Sequence, residues 1–260
     1  MPSKTATSAE TEHSPSQQLL PENWPGDIKF LTELTYSEAV TPENRAGLSR
    51  SDESCSRIPQ EALTSPSQIL RVKNVEDEKH PAYGQRGLFA ACDLTPDSFL
   101  CLYIGHVHTN SLSDTDPHSD YDLSYDRETG LSIDSARCGN ESRLANDYRG
   151  IAERPNTEFR DCLVRVKSDK RANGTKWERR VGIFVLSGGK AGKRNGGIKA
   201  GEEILVNYGK GFWEGRQVLA KFRKDEEMRK WSQRLTLTKR GTNGQWLSHV
   251  VKRATDALEW

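Results

Sequence analysis

Between residues 69 and 208 the sequence consists of short apolar runs separated by turn residues. It contains no long amphipathic stretch of the kind that forms a helix. The runs are four to seven residues long, and several alternate apolar with polar residues, as strands with one buried face do. They lie at residues 69–75, 87–91, 99–105, 121–125, 131–134, 162–166, 180–186 and 204–208. Many short strands with little helix predict a mainly β fold, of the β-rich α+β class. The polar turn between 121–125 and 131–134 predicts a hairpin.

Composition divides the 260 residues into four parts. Apolar residues make up 34% and charged residues 29% of the chain, which is too polar for one compact globule from end to end. Residues 1–25 are rich in Ser, Thr, Glu and Gln, so we expect a disordered tail. Residues 26–66 are expected to be a loosely structured flank, with a short docking helix at 28–34 followed by an extended linker. We expect residues 67–213 to be the folded domain and residues 214–260 to be a basic helical segment.

Charge and sequence patterning narrow the class of protein. The net charge of +1 gives no global attraction to nucleic acid or to an anionic membrane. No stretch approaches the roughly 20 apolar residues of a membrane span, and no secretory signal is recognisable, so we expect an intracellular protein without membrane attachment. Nucleic-acid contact stays open because residues 188–201 and the C-terminal segment are locally basic, although a solvated surface explains both.

Metal binding is not expected. The five cysteines include no CxxC or CxC pair. His106 and His108 share one face of a strand, a spacing that suits a metal ion, but no third ligand lies near them in the sequence.

Three separated segments carry the patterns of a chemical site. The first is Tyr83–Ala90 (YGQRGLFA), and the second is Asp134–Tyr148 (DSARCGNESRLANDY), followed by Pro155-Asn156. The third is Ile198–Gly209 (IKAGEEILVNYG). Each alone is ordinary, since such residues usually form turns or packed strand ends. Together, their order and spacing resemble the SET domain family of protein-lysine methyltransferases, over residues 67–213.

The resemblance implies a SET-type fold, in which several short curved sheets surround a pseudoknot formed by the second and third motifs. It also implies S-adenosylmethionine as methyl donor, bound on one face, and a protein lysine that enters a narrow channel from the opposite face. The attacking amine must be neutral, whereas an unperturbed lysine has a pKa of about 10.4. An apolar aromatic channel and a nearby sulfonium both lower that pKa. No metal is implied.

The resemblance also assigns roles to individual residues. Tyr208, the closing tyrosine of the third motif, and Tyr121 are the expected catalytic residues, which orient the methyl group and the amine. Arg86 is expected to meet the donor's carboxylate, and Gly87 to let the backbone approach the donor closely. Arg143 is expected to brace the pseudoknot. The full set of expected donor-binding residues is Arg86, Gly87, Leu88, Asn146, Asp147, Tyr208 and Trp213.

The sequence departs from the family pattern at several motif positions, and the cysteine-rich zinc element that often follows the closing tyrosine is absent. The departing residues are Gln85, Asp147, Tyr148, Val206 and Asn207. Our main interpretation is a monomeric nuclear enzyme that methylates a lysine of a protein, with a histone tail or nucleosome as the leading substrate class. The alternatives are a non-catalytic SET-fold interaction module and a methyltransferase for a non-histone protein. The departures leave activity and the number of methyl groups open.

Overall fold

The computed structural model describes residues 20–49, 54–63, 66–167, 174–187, 196–217, 221 and 228–230. These residues form a mainly β structure of several small sheets with little helix, which confirms the predicted fold class. The strands are β1 (Lys29–Phe30), β2 (Thr35–Tyr36), β3 (Ser56–Arg57), β4 (Leu70–Asn74), β5 (Arg86–Ala90), β6 (Phe99–Leu102), β7 (His106–Thr109), β8 (Asp122–Asp126), β9 (Leu131–Asp134), β10 (Cys138–Gly139), β11 (Asn146–Asp147), β12 (Thr157–Lys167), β13 (Thr175–Val185) and β14 (Leu205–Val206). The helices are α1 (Pro42–Gly47), α2 (Pro66–Ile69) and the 3-10 turns Gln60–Leu63 and Glu141–Leu144, and residues 210–217, 221 and 228–230 are also helical.

Every predicted strand segment overlaps an observed strand, because alternating apolar residues bury one face of each sheet. Two sheets have four strands each, in the orders β3-β12-β13-β6 and β2-β7-β9-β8. β8 and β9 form the predicted hairpin, with Asp122 opposite Asp134. Val107, Leu131 and Ile133 of the second sheet are fully buried in an apolar core cluster. Burying each such side chain stabilises the fold by about 1.5–3 kcal/mol.

The N-terminal flank differs from the prediction. The helix expected at 28–34 is wrong, since Lys29–Phe30 form β1, which pairs in parallel with β10, and β2 pairs in parallel with β7. So short an apolar run is marginal as an isolated helix, whereas the edges of β7 and β10 offer it backbone partners. The expected extended linker is likewise interrupted by α1, whose first turn is closed by a capping box between Thr41 and Asn44.

The second and third motifs are joined through backbone pairing. β11 runs parallel to β14, with Asn146 opposite Leu205 and Asp147 opposite Val206. Asn156 adds a side-chain bridge: its Nδ2 donates to the carbonyl of Glu203 at 2.7 Å, and its Oδ1 accepts from the amide of Leu205 at 2.8 Å. These bonds hold the third motif against the second.

The chain divides into two compact units, residues 1–207 and residues 208–260. Every strand among the described residues lies in the first unit, and the described part of the second unit begins at Tyr208 and includes the helix at 210–217. Within the described ranges, no helix has the length and apolar character needed to cross a membrane. The predicted disordered tail up to residue 19, the basic stretch at 188–195 and most of the basic C-terminal segment lie outside the described residues.

Candidate active site

The three motifs meet at the side chain of Glu203. Asn146 Nδ2 donates to Glu203 Oε1 at 2.8 Å. A Cβ atom built on Gly87 would lie 2.7 Å from Glu203 Oε1, 2.9 Å from Phe89 and 3.3 Å from Asn146 Nδ2. Glycine at position 87 is therefore what allows the second and third motifs to approach the first so closely.

His80 completes this cluster from outside the motifs. Its Nε2 lies 3.0 Å from Glu203 Oε2, and the two side chains are only 9% and 10% exposed. The amide of Ala82 donates to His80 Nδ1 at 3.0 Å, which closes the loop that leads into β5. The cluster of His80, Gly87, Asn146 and Glu203, here called the Glu203 cluster, places a carboxylate beside an amide in a nearly buried setting.

A second group links two positions at which the sequence departs from the family pattern. Arg149 Nη1 donates to both carboxylate oxygens of Asp147, at 3.0 and 2.9 Å, and to Oδ1 of Asn207 at 3.2 Å. The side chain of Asp147 is 5% exposed and that of Arg149 is 39% exposed. Arg149 therefore ties the residue after Asn146 to the residue before Tyr208.

Tyr121 belongs to a third group, with Arg143. The Arg143 guanidinium lies 4.1 Å from the centre of the Tyr121 ring. Its Nε donates to the carbonyl of Ser135 at 2.8 Å, and its Nη2 to that of Ala136 at 3.4 Å. Arg143 is 7% exposed and is bonded to the backbone at the start of the second motif.

Next to Tyr121 in the sequence, a partly buried ion pair joins β7 to β8. His108 Nε2 lies 3.3 Å from Asp122 Oδ1, and its Nδ1 lies 2.9 Å from the carbonyl of Thr109. The hydrogen bond to Asp122 is the main cause that raises the pKa of His108 to about 9, against the opposing effect of desolvation. His106 bonds instead to the hydroxyl of Thr35 at 3.0 Å. The two histidines thus serve sheet contacts.

Arg86 and Leu88 of the first motif both make hydrogen bonds to other parts of the first unit. Arg86 Nε donates to the carbonyl of Asn23 at 2.7 Å. Leu88 is fully buried, and its carbonyl accepts from the amide of Ile204 at 2.7 Å. The backbone of the first motif is therefore bonded directly to that of the third.

In the second unit, three aromatic side chains form a cluster: Tyr208, Phe212 and Trp213. The Tyr208 and Phe212 rings lie 4.9 Å apart at 73°, and the Phe212 and Trp213 rings lie 5.2 Å apart at 88°. Tyr208 is half-buried, whereas Trp213 is 37% exposed. Phe212 is thus the residue that packs on the ring of Tyr208, and Trp213 follows as the outer member of the cluster.

Three residues of these groups were not predicted as site residues: His80, Glu203 and Arg149. Glu203 lies in the third motif and could have been singled out as one of its two adjacent acidic residues. His80 and Arg149 lie outside the quoted motif patterns. His80 and Glu203 are 123 positions apart in the sequence, so no local sequence pattern predicts their contact.

No protein-family model and no curated protein sequence matches the chain. Solved structures do. ATXR5, in complex with mono-methylated histone H3.1, is 18% identical, with 70% of this chain and 81% of that chain covered and a TM-score of 0.44. The polycomb repressive complex 2 of Chaetomium thermophilum is 24% identical, with 55% of this chain and 15% of that chain covered and a TM-score of 0.38.

A second structure of the Chaetomium thermophilum polycomb repressive complex 2 (ctPRC2) is in an autoinhibited conformation bound to S-adenosylmethionine. It is 23% identical, with 60% of this chain and 17% of that chain covered and a TM-score of 0.40. The chain therefore spans less than a fifth of the length of these polycomb chains. The matched structures are SET-like.

Proposed function

We propose that the protein transfers a methyl group from S-adenosylmethionine to a lysine side chain of a protein. The observation that carries the proposal is the Glu203 cluster, in which Gly87, Asn146 and Glu203, one residue from each motif, come into contact. Ligand sites bring together a small number of precisely placed polar groups, and here polar side chains from segments far apart in sequence converge.

The residues present fit such a donor. Gly87 lets the backbone of the first motif lie directly against Glu203 and Asn146, where a Cβ atom would be 2.7 Å from Glu203 Oε1. Asn146 is half-buried, with its amide fixed by Glu203, so it suits a polar group of a ligand. When bound, S-adenosylmethionine supplies an electrophilic methyl group on a sulfonium. We assign donor contacts to Gly87, Leu88, Asn146 and Asp147, chiefly through backbone at Leu88 and Asp147. Arg86 keeps its proposed contact with the donor's carboxylate through the nitrogens of its guanidinium that do not bind Asn23.

We assign the work on the amine to Tyr208 and Tyr121, on the basis of their motif positions. A phenol hydroxyl can accept a hydrogen bond from a neutral amine and so orient its lone pair. Aromatic walls disfavour the ammonium form, which lowers the lysine pKa and raises the fraction able to attack. Trp213 is proposed to cover the donor's adenine. Positioning of this kind can remove several kcal/mol from a reaction barrier.

Histone tails or nucleosomes are the proposed substrate class, with a monomeric enzyme acting in the nucleus, and a non-histone protein is the substrate alternative. A non-catalytic interaction module is the second candidate function. One observation favours it: Arg149 donates hydrogen bonds to both Asp147 and Asn207. Stabilisation of the fold alone is enough to explain these two residues, without a ligand. Donor binding and methyl transfer separate the two candidates.

The proposal is tested by incubating the protein with labelled S-adenosylmethionine and recombinant nucleosomes, free histones or a nuclear extract. We expect label on a protein that yields methyl-lysine after hydrolysis. Tyr208→Phe should lower the rate about a hundredfold or more, as loss of a positioned catalytic group does. Tyr36→Phe is the matched control, since its hydroxyl bonds to Glu178 outside the motifs. Transfer that Tyr208→Phe leaves undiminished contradicts the role of Tyr208, and no transfer to any substrate contradicts the enzyme.

A further inference from the structure

The protonation state of His80 follows from its two neighbours. Nδ1 accepts a hydrogen bond from the amide of Ala82, so it carries no proton. The single ring proton is therefore on Nε2, which donates it to Glu203 Oε2 at 3.0 Å. His80 is neutral and offers Glu203 a donor that cannot be exchanged for an acceptor without breaking the bond to Ala82.

This arrangement determines which way the amide of Asn146 faces. A carboxylate only accepts hydrogen bonds, so the Asn146 atom that lies 2.8 Å from Glu203 Oε1 must be the Nδ2 donor. The carbonyl oxygen, Oδ1, is then the atom of the amide that Glu203 does not bind. Gly87 leaves no free space beside this pair, because a Cβ there would already be 2.7 Å from Glu203 Oε1. The carboxylate is thereby confined between His80 and Asn146.

The charge of the cluster favours one kind of ligand group. With His80 neutral, the Glu203 cluster carries the single negative charge of a carboxylate whose side chain is 10% exposed. The carboxylate polarises the amide that donates to it, and this makes Asn146 Oδ1 a stronger acceptor. A positively charged donor, such as an ammonium group, gains most from an acceptor backed by a nearly buried anion.

We infer that His80 and Glu203 are positioning residues, which hold Asn146 with its carbonyl oxygen presented to the ammonium group of the bound ligand. The inference rests on the proposed function, in which that group is the amino end of S-adenosylmethionine. His80 and Glu203 act only through Asn146 and do not touch the reacting atoms.

Glu203→Gln isolates this role because it changes hydrogen-bond polarity with almost no change in shape. The Nε2–H of His80 can only donate, so the glutamine introduced at position 203 must turn its carbonyl oxygen toward His80. Its NH2 group then faces Asn146. Asn146 then has to invert and present NH2 to the ligand, where a cationic amine needs an acceptor. Removing His80 as well, in the His80→Ala and Glu203→Gln double variant, frees Gln to turn its oxygen back toward Asn146.

The test measures binding of two ligands by calorimetry: S-adenosylmethionine, and methylthioadenosine, which lacks the amino-acid end. We expect Glu203→Gln to weaken S-adenosylmethionine at least about tenfold, as expected for the loss of a hydrogen bond to a charged group. Binding of methylthioadenosine should change less than about twofold. The double variant should regain part of the lost S-adenosylmethionine affinity, although it carries one more substitution. Thermal unfolding of each variant reports separately on the fold.

Three results overturn the inference while leaving donor binding intact. They are wild-type affinity in Glu203→Gln, equal loss of both ligands, and a double variant weaker than Glu203→Gln. A wild-type protein that binds no S-adenosylmethionine contradicts the proposed function itself, which is a different outcome.

Discussion

At the scale of single residues, the absence of a side chain at Gly87 has the clearest consequence. Gly87→Ala would place a methyl group 2.7 Å from a Glu203 oxygen that His80 and Asn146 hold in place. We expect a loss of about 1–3 kcal/mol in the free energy of unfolding, the usual range for overpacking, together with weaker donor binding. Urea denaturation measures the first effect. Gly26→Ala is the control, since no atom lies within 4 Å of its added Cβ. Equal stability of the two variants contradicts the packing described for Gly87.

His108 provides a pH-dependent prediction at the same scale. Its pKa is raised to about 9 in the folded protein, whereas an unfolded imidazole titrates at about 6.5. The folded state therefore binds the proton more tightly. Its contribution to stability is complete below about pH 6.5 and is lost as the pH rises through about 9.

His108→Gln should therefore destabilise the protein by about 1–2 kcal/mol at about pH 6. This is less than the full pKa shift would give, because Asp122 is 26% exposed and water screens the ion pair. The difference from the wild type should shrink steadily up to about pH 9. Urea denaturation at several pH values measures it, with the exposed His118→Gln as control. A difference that stays constant over this range contradicts the assignment.

At the scale of elements, Arg149 is the tie between β11 and the end of the third motif. Arg149→Ala leaves the buried carboxylate of Asp147 without its guanidinium partner. We expect a loss of about 1–3 kcal/mol in stability, because the carboxylate loses its charged hydrogen bonds from the guanidinium and keeps the one from the backbone amide of residue 149. Arg137→Ala is the matched control, because Arg137 is 88% exposed and 3.9 Å from its acidic partner, so its loss should cost less than about 1 kcal/mol. Equal stability of the two variants in chemical denaturation would contradict the claim that Arg149 links β11 to the third motif.

The central strands were predictable because each buries one face, and that leaves a period of two residues in the sequence. β1 and β2 were not, since two-residue strands carry no periodicity and exist through pairing with the distant β10 and β7. The site was predictable to the extent that its residues lie in motifs. Asp147 and Asn207 stood out only as separate departures. That Arg149 joins them is a contact across 58 positions, which a single sequence does not reveal.

At the scale of the whole molecule, the flank before residue 67 is part of the first unit rather than a loose attachment. It supplies partners to three sheets, through β1, β2 and β3. Its buried apolar side chains are Trp24, Leu31, Val40, Leu48 and Ile58. At about 1.5–3 kcal/mol each, their burial is comparable with the entire stability of an ordinary domain.

We therefore expect a protein that begins at residue 67 to fold poorly. Its thermal unfolding midpoint should fall by more than about 10 °C relative to a protein that begins at residue 20, or it should aggregate. Circular dichroism and light scattering measure this. Equal midpoints would show that residues 20–66 contribute little to the fold, against the burial described for them.

The claim on which the whole account depends is that the three motifs build a methyl-donor site. Equilibrium titration of the wild-type protein with S-adenosylmethionine tests it most directly. We predict one donor bound per chain, and an affinity at least about tenfold lower in Asn146→Ala, as loss of a hydrogen bond to a charged group implies. Asn110→Ala is the control, since Asn110 contacts Ser132 away from the cluster. No detectable binding by the wild type, or binding that Asn146→Ala leaves unchanged, would contradict the account.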